Sequence, residues 1–143
     1  MASHHALAPP TWRLPEGHHA DVYDPRCASR QALDRIGDAW SALITGALEE
    51  RPRRFNELNR LVTGISAKML AQTLRSLERD GFVTRTVLPT VPPKVTYALT
   101  DLGHDLEHLH ATVRGWAEGH IEQIETSRLR WALSQAESDT PTP

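Results

Sequence analysis

The chain has 143 residues, a formal net charge of −2, 39 % apolar and 24 % charged residues, a size and balance suited to one domain with a modest core. No apolar run reaches membrane-spanning length and the first residues lack the basic-then-apolar order of a signal peptide, so a cytoplasmic location with no membrane contact is expected. A single cysteine excludes an internal disulfide framework and a cysteine-rich zinc site.

Residues 1–24 are rich in Pro, His and Ala and have no period, so they are expected to form a flexible tail with local contacts through Trp12 and Leu14. The pairs His4-His5 and His18-His19 lack a Cys or carboxylate cluster to complete a site, and no functional metal site is expected from them. Cys27 follows beside Arg26, at the expected start of a helix that carries Ala32, Leu33 and Ile36 on one face and stops at Gly37. A helix start and a neighbouring cation both favour a thiolate, whereas the commoner fate of a lone cysteine is to pack as a small hydrophobe.

A second helix is expected over 38–49, where Trp40, Leu43, Ile44, Ala47 and Leu48 make a broad core-facing stripe. Arg53-Arg54 suits a very short strand. A third helix is expected over 56–62, with Asn56 as N-cap and Phe55, Leu58, Leu61 and Val62 inward. Thr63-Gly64-Ile65 then turns the chain into a fourth helix, and two short helices joined by a glycine turn make a helix-turn-helix.

That fourth helix has both ends marked, Ser66 as N-cap and Gly81 as stop. Leu70, Leu74 and Leu77 fall on one face; Lys68, Gln72, Arg75 and Arg79 fall on the opposite one, with no acid among them. Arg and Lys pair with guanine edges or phosphates and Gln with adenine, so such a helix suits a DNA major groove. An ordinary solvated face is the competing account of this helix alone.

After Gly81 the period changes. Phe82 to Leu88 and Val95 to Leu99 are dense in β-branched and aromatic residues, and Pro89, Pro92 and Pro93 stiffen a loop between them that ends on Lys94. A helix-turn-helix followed by a hairpin is a winged helix. Thr100 then caps a long helix in which Leu102, Leu106, Leu109, Val113 and Trp116 repeat at spacings of four and three, extended by Ile121 and Ile124. This is heptad spacing, expected to form a dimer seam, although the same alternation also serves helices that pack on their own core. Residues after about 135 are expected to fray.

The charge is unevenly divided. Residues 51–97 hold nine basic residues against three acids, while the rest hold seven against fifteen. A basic centre with acidic flanks is the electrostatic footprint of a DNA-binding protein. No Gly-rich phosphate loop, Ser-His-Asp arrangement or ligand cluster points to an enzyme or to a cofactor.

Over residues 27–110 the chain resembles the HxlR-type family of bacterial transcription regulators, winged-helix relatives of the MarR group. Arg53-Arg54-Phe55-Asn56-Glu57-Leu58 is similar to the family's R-R-F-x-E-L, and Gly64-Ile65-Ser66 through Lys68-Met69-Leu70 to its G-I-S-x-K-M-L. Leu74-Arg75, Leu77-Glu78 and Asp80-Gly81 match L-R-x-L-E-x-D-G; Val91-Pro92-Pro93-Lys94-Val95, Tyr97, Leu99-Thr100 and Leu102-Gly103 match V-P-P-R-V-x-Y-x-L-T-x-L-G. Ile36-Gly37 and Trp40 stand where the family has I-G and W. Asp38-Ala39 replaces its Gly-Lys, Arg51 its Gly before Pro52, Leu88 and Thr90 its Tyr and Glu, and Ala28 its Pro after the cysteine.

The resemblance implies a mainly α fold with a small β-hairpin (α+β), a winged helix-turn-helix with a long C-terminal dimerisation helix. The flexible tail would cover 1–24, the HxlR-type DNA-binding domain with its dimerisation helices 25–126, and the helix end and C-terminal tail 127–143. It implies a homodimeric regulator, read as a repressor, on a pseudo-palindromic double-stranded operator. The residues placed on DNA are Arg54, Ser66, Lys68, Met69, Gln72, Thr73, Arg75, Arg79 and Lys94; those at the dimer interface are Leu102, Leu106, Leu109, Val113 and Trp116. Cys27 would sense an electrophile or oxidant. Two alternatives stay open: the same regulator answering a non-covalent small-molecule effector, or a winged-helix protein-interaction module without DNA.

Overall fold

The computed structural model describes residues 20–141. The paired histidines, Trp12 and Leu14 lie outside the described residues. The chain divides into two compact units, Met1–Asp34 and Arg35–Pro143.

In the first unit the described chain turns through Asp21–Arg26 and enters α1 (Ala28–Ile36). Asp24 organises the turn, accepting from the Arg26 N–H at 2.9 Å and its guanidinium at 3.1 Å. Cys27 is the residue before the helix, its carbonyl accepting from the N–H groups of Arg30 and Gln31 at 3.1 and 3.2 Å. The expected helix start is therefore where the sequence put it.

The second unit contains α2 (Ala39–Leu48), β1 (Arg53–Arg54), α3 (Phe55–Leu61), α4 (Ala67–Arg79), β2 (Val83–Leu88), β3 (Lys94–Leu99), α5 (Asp101–Gly119) and α6 (Ile121–Ser138). Its core is built from Ile44 and Leu48 of α2, Leu58 of α3, Leu70, Leu74 and Leu77 of α4, and Leu106 of α5, with Val62, Ile65, Phe82 and Val83 between them. The three leucines of α4 are at most 1 % exposed, and each contributes about 1.5–3 kcal/mol relative to an exposed site. Trp40 packs half-buried against this core.

The sheet has the order β1-β3-β2, antiparallel throughout. β2 and β3 pair from Val83↔Leu99 to Leu88↔Lys94, and the short Arg53-Arg54 strand adds to β3 opposite Tyr97 and Thr96. The prolines fall at the hairpin tip, outside the paired residues, where their missing N–H groups cost no ladder bond. Gly81 ends α4 at φ +84, a left-handed conformation that a side chain would strain.

Three expectations need correction. The third helix starts at Phe55, not after Asn56: the Glu57 carboxylate accepts from the Arg54 N–H at 3.3 Å and moves the helix start two residues back, to a cap at Arg54. The long C-terminal helix is two helices. It breaks at His120, whose backbone leaves the helical region at φ −114, ψ 5 and whose ring nitrogen bonds the Trp116 carbonyl at 2.8 Å while stacking on the Trp116 ring at 4.3 Å. α6 then runs to Ser138, so the expected fraying point near 135 is helical. None of the described helices is long and apolar enough to cross a membrane.

Candidate nucleic-acid interface

α4 presents its polar stripe outward because its opposite face is anchored. Ser66 accepts from the Met69 N–H at 3.0 Å and fixes the first turn. This use of a lone pair leaves the Ser66 hydroxyl proton available to donate outward. Lys68, Gln72, Arg75 and Arg79 are all exposed, and Met69 is 40 % exposed beside them. Thr73 is not: it is 3 % exposed and its hydroxyl donates to the Met69 carbonyl at 2.8 Å. Its place among the expected contacts is withdrawn, because a threonine one turn from Met69 satisfies itself on the helix backbone and packs inward.

Ion pairing sorts the cations. Arg51 and Arg53 converge on Glu57 at 2.8 and 3.6 Å, and Arg53 also donates to the Ala47 carbonyl at 2.5 Å, tying the segment after α2 to α3. The hydrogen bond from Arg51, with the Arg54 N–H, holds the Glu57 carboxyl below its ordinary value. Arg79 pairs with Asp80 at 3.1 Å, so this member of the stripe starts out neutralised. Outside α6, the described cations with no salt bridge are Arg54, Arg60, Lys68, Arg75, Arg85 and Lys94, and all six are exposed. They come from α3 and its cap, α4 and the hairpin. An unpaired cation keeps its full field for an anion; a paired one must first give up its partner. Arg60 and Arg85 were absent from the residues expected on DNA, since neither lies on the α4 stripe; only their place in the basic 51–97 segment pointed to them.

The face of α5 that meets α2 is polar where an apolar one was expected. Glu107 and His110 are each 1 % exposed, as are Ser41 and Thr45 of α2 at 0 %. Arg114 chelates both oxygens of Glu107 and donates to the Ala42 carbonyl at 2.7 Å. Its guanidinium lies over Gly46, where an added Cβ would stand 3.0 Å from Arg114 Cζ, so only glycine leaves it room. His110 spans from the Thr45 hydroxyl at 2.8 Å to the Ile36 carbonyl at 2.9 Å.

This lock turns the apolar stripe of α5 away from the core. Leu102, Leu109, Val113 and Trp116 are 52, 48, 54 and 59 % exposed. Leu106 is the exception at 5 %, a core residue rather than part of the expected seam.

At Cys27, the cause of activation differs from the expected one. The thiol is held below its ordinary pKa first by the Asp21 N–H, which points at Sγ over 3.4 Å, then by the Ser29 hydroxyl at 3.1 Å and the N–H groups of the helix start. Arg26 is spent on Asp24.

With this geometry in view, the comparisons are decisive. The model of the HxlR-like helix-turn-helix family matches residues 35–125. The chain belongs to that family. It is 39 % identical over 112 residues to the HTH-type transcriptional regulator YtfH of Escherichia coli strain K12, covering 78 % of this chain and 86 % of the relative. The structure of YtfH from Salmonella typhimurium superposes with a TM-score of 0.72 at 38 % identity, over 77 % of this chain and 98 % of that one. The redox regulator HypR in its reduced form gives 0.63 at 37 %, over 68 % and 96 %. The chain is thus a helix-turn-helix transcription regulator with a winged-helix fold.

Proposed function

We propose that two copies of this chain bind a pseudo-palindromic operator, with α4 in the major groove of each half-site and Lys94 of the wing on the adjacent backbone. One observation carries this reading: the exposed cations left without acid partners gather on the helix-turn-helix and the wing. Gln72, in the middle of the stripe, can make the paired donor–acceptor contact to adenine, while Lys68 and Arg75 reach guanine edges or phosphates. The exposed apolar stripe of α5 supplies the dimer seam. We read the regulation as repression, by occupation of promoter DNA.

The test is duplex binding by the full chain as salt is varied. Gln72→Ala is expected to cost about 1–3 kcal/mol on the cognate site and little on random duplex. Lys94→Ala should weaken every duplex alike and lower the slope of log K against log salt by about one. Unchanged affinity in a Gln72→Ala, Lys94→Ala double variant would remove the assignment.

The same reading includes Cys27 as the effector site, supported by its lowered thiol pKa and by the likeness to HypR. With one cysteine per chain, an oxidant such as diamide would join two Cys27 thiols across the dimer, taking their two electrons and two protons. An electrophile such as a quinone or aldehyde would add to one thiolate. Diamide or methylglyoxal should therefore lower operator affinity in wild type and leave Cys27→Ser unaffected. Equal loss in both proteins, or in neither, would show that Cys27 is not the sensor.

A further inference from the structure

Between α3 and the wing lies a cleft of about 700 Å³, lined by Arg54, Asn56, Glu57, Arg60, Pro92 and Lys94 among others. Three cations converge on it from three directions: Arg54 from the cap of α3, Arg60 from its last turn, and Lys94 from the foot of the wing. None of the three has a salt bridge. The one acid in the lining, Glu57, is already held by Arg51 and Arg53, so it withdraws little of the cleft's positive field. The prolines of the wing and the half-buried Phe55 give the cleft stiff walls. A protein that must hold an anion has reason to leave three arginine and lysine heads unpaired in one concavity; a merely solvated surface would intersperse acids.

We propose that this cleft is a backbone-phosphate site for duplex DNA, with Arg60 as a contact that neither the sequence motifs nor the α4 stripe indicate. The inference rests on the DNA-binding reading and adds a second footing to it. α4 and the cleft lie on different elements of one rigidly packed unit, so phosphates held by Arg54, Arg60 and Lys94 would fix the angle at which α4 enters the groove. The contacts are to phosphate oxygens and carry no sequence information themselves.

The experiment follows full-length wild type, Arg60→Gln and Arg60→Lys by fluorescence anisotropy on the selected operator and on a random duplex, between 50 and 200 mM NaCl. Arg60 is exposed, and thermal melting checks that the variants fold. Arg60→Gln is expected to lower the log–log salt slope by about one on both duplexes, which makes the loss of affinity across that range about three- to fourfold shallower. Arg60→Lys, which keeps the charge, is expected to retain the wild-type slope. A wild-type slope in Arg60→Gln overturns the proposal, as does a loss confined to the operator, which would make Arg60 a base reader. Wild type that binds neither duplex overturns the DNA reading as a whole; wild type that binds while Arg60→Gln matches it overturns the cleft alone.

Discussion

Glu107→Ala is expected to destabilise the fold by about 2–4 kcal/mol, the largest effect of any single substitution on this surface-rich chain. Removing one member of a buried pair leaves the other charge uncompensated, which costs about 3–5 kcal/mol when both are fully buried. Here Glu107 is buried, but the Arg114 side chain is 26 % exposed, so water relieves part of the penalty. The Ala42 carbonyl would be the remaining partner of the guanidinium. The carboxyl also sets a pH dependence. Burial pushes Glu107 up, but the hydrogen bonds from Arg114 and Thr45, with the charges of Arg114 and His110, outweigh it and leave the group below its model value of 4.5. A carboxyl depressed in the folded state contributes stability that is present above its unfolded pKa and lost as pH falls through the folded one. Wild type should therefore lose stability below about pH 4.5 more steeply than Glu107→Gln. Urea unfolding at fixed protein concentration, repeated down a pH series, measures both effects. A Glu107→Ala variant within 0.5 kcal/mol of wild type (about the noise of such a measurement) would show that the lock is ornamental.

Val113→Asp is the second large effect. Leu102, Leu109, Val113 and Trp116 form an apolar stripe that is about half exposed along its whole length, and contiguous apolar surface of this kind marks an interface. A carboxylate in its centre would have to be desolvated by a partner copy, so the chain should sediment as a monomer. Val113 is the better target than Trp116, which also stacks on His120 at the helix break. Losing the link between two half-sites should then cost operator affinity on the order of 10²-fold or more, with no change in the contacts of either α4. A Val113→Asp protein that stays dimeric would move the seam elsewhere, to the exposed Leu129, Trp131 and Leu133 of α6 in the first instance.

The parts of this molecule legible in the sequence are those ruled by local chemistry. Ser66 and Gly81 bound α4 where a cap and a left-handed residue must stand, and the leucine and cation stripes need only the helical period. The prolines between two β-branched runs placed the hairpin. What escaped depends on partners distant in the chain. Glu107, His110 and Arg114 look like solvated positions between apolar ones, and only Thr45, Ala42 and Ile36, more than 60 residues earlier, make them core. The heptad therefore overstated the seam by one residue, Leu106, and ran past His120, where a side chain bonding back to the Trp116 carbonyl ends the helix. Thr73 was misplaced by spacing alone, since a hydroxyl that bonds its own helix can face inward. Arg79 and Arg75 differ only through Asp80, an ion pair that the stripe does not reveal.

The central claim is that this regulator reads a two-fold DNA site through α4 on two linked copies. Selection from a pool of random duplexes with the full-length protein, followed by footprinting on the enriched sequence, tests it most directly. The account predicts one enriched pseudo-palindrome whose half-sites lie about one helical turn, 10 base pairs, apart, both protected, with the preference lost in Gln72→Ala. A pool that stays random, or a single half-site bound as tightly as the full one, would contradict it.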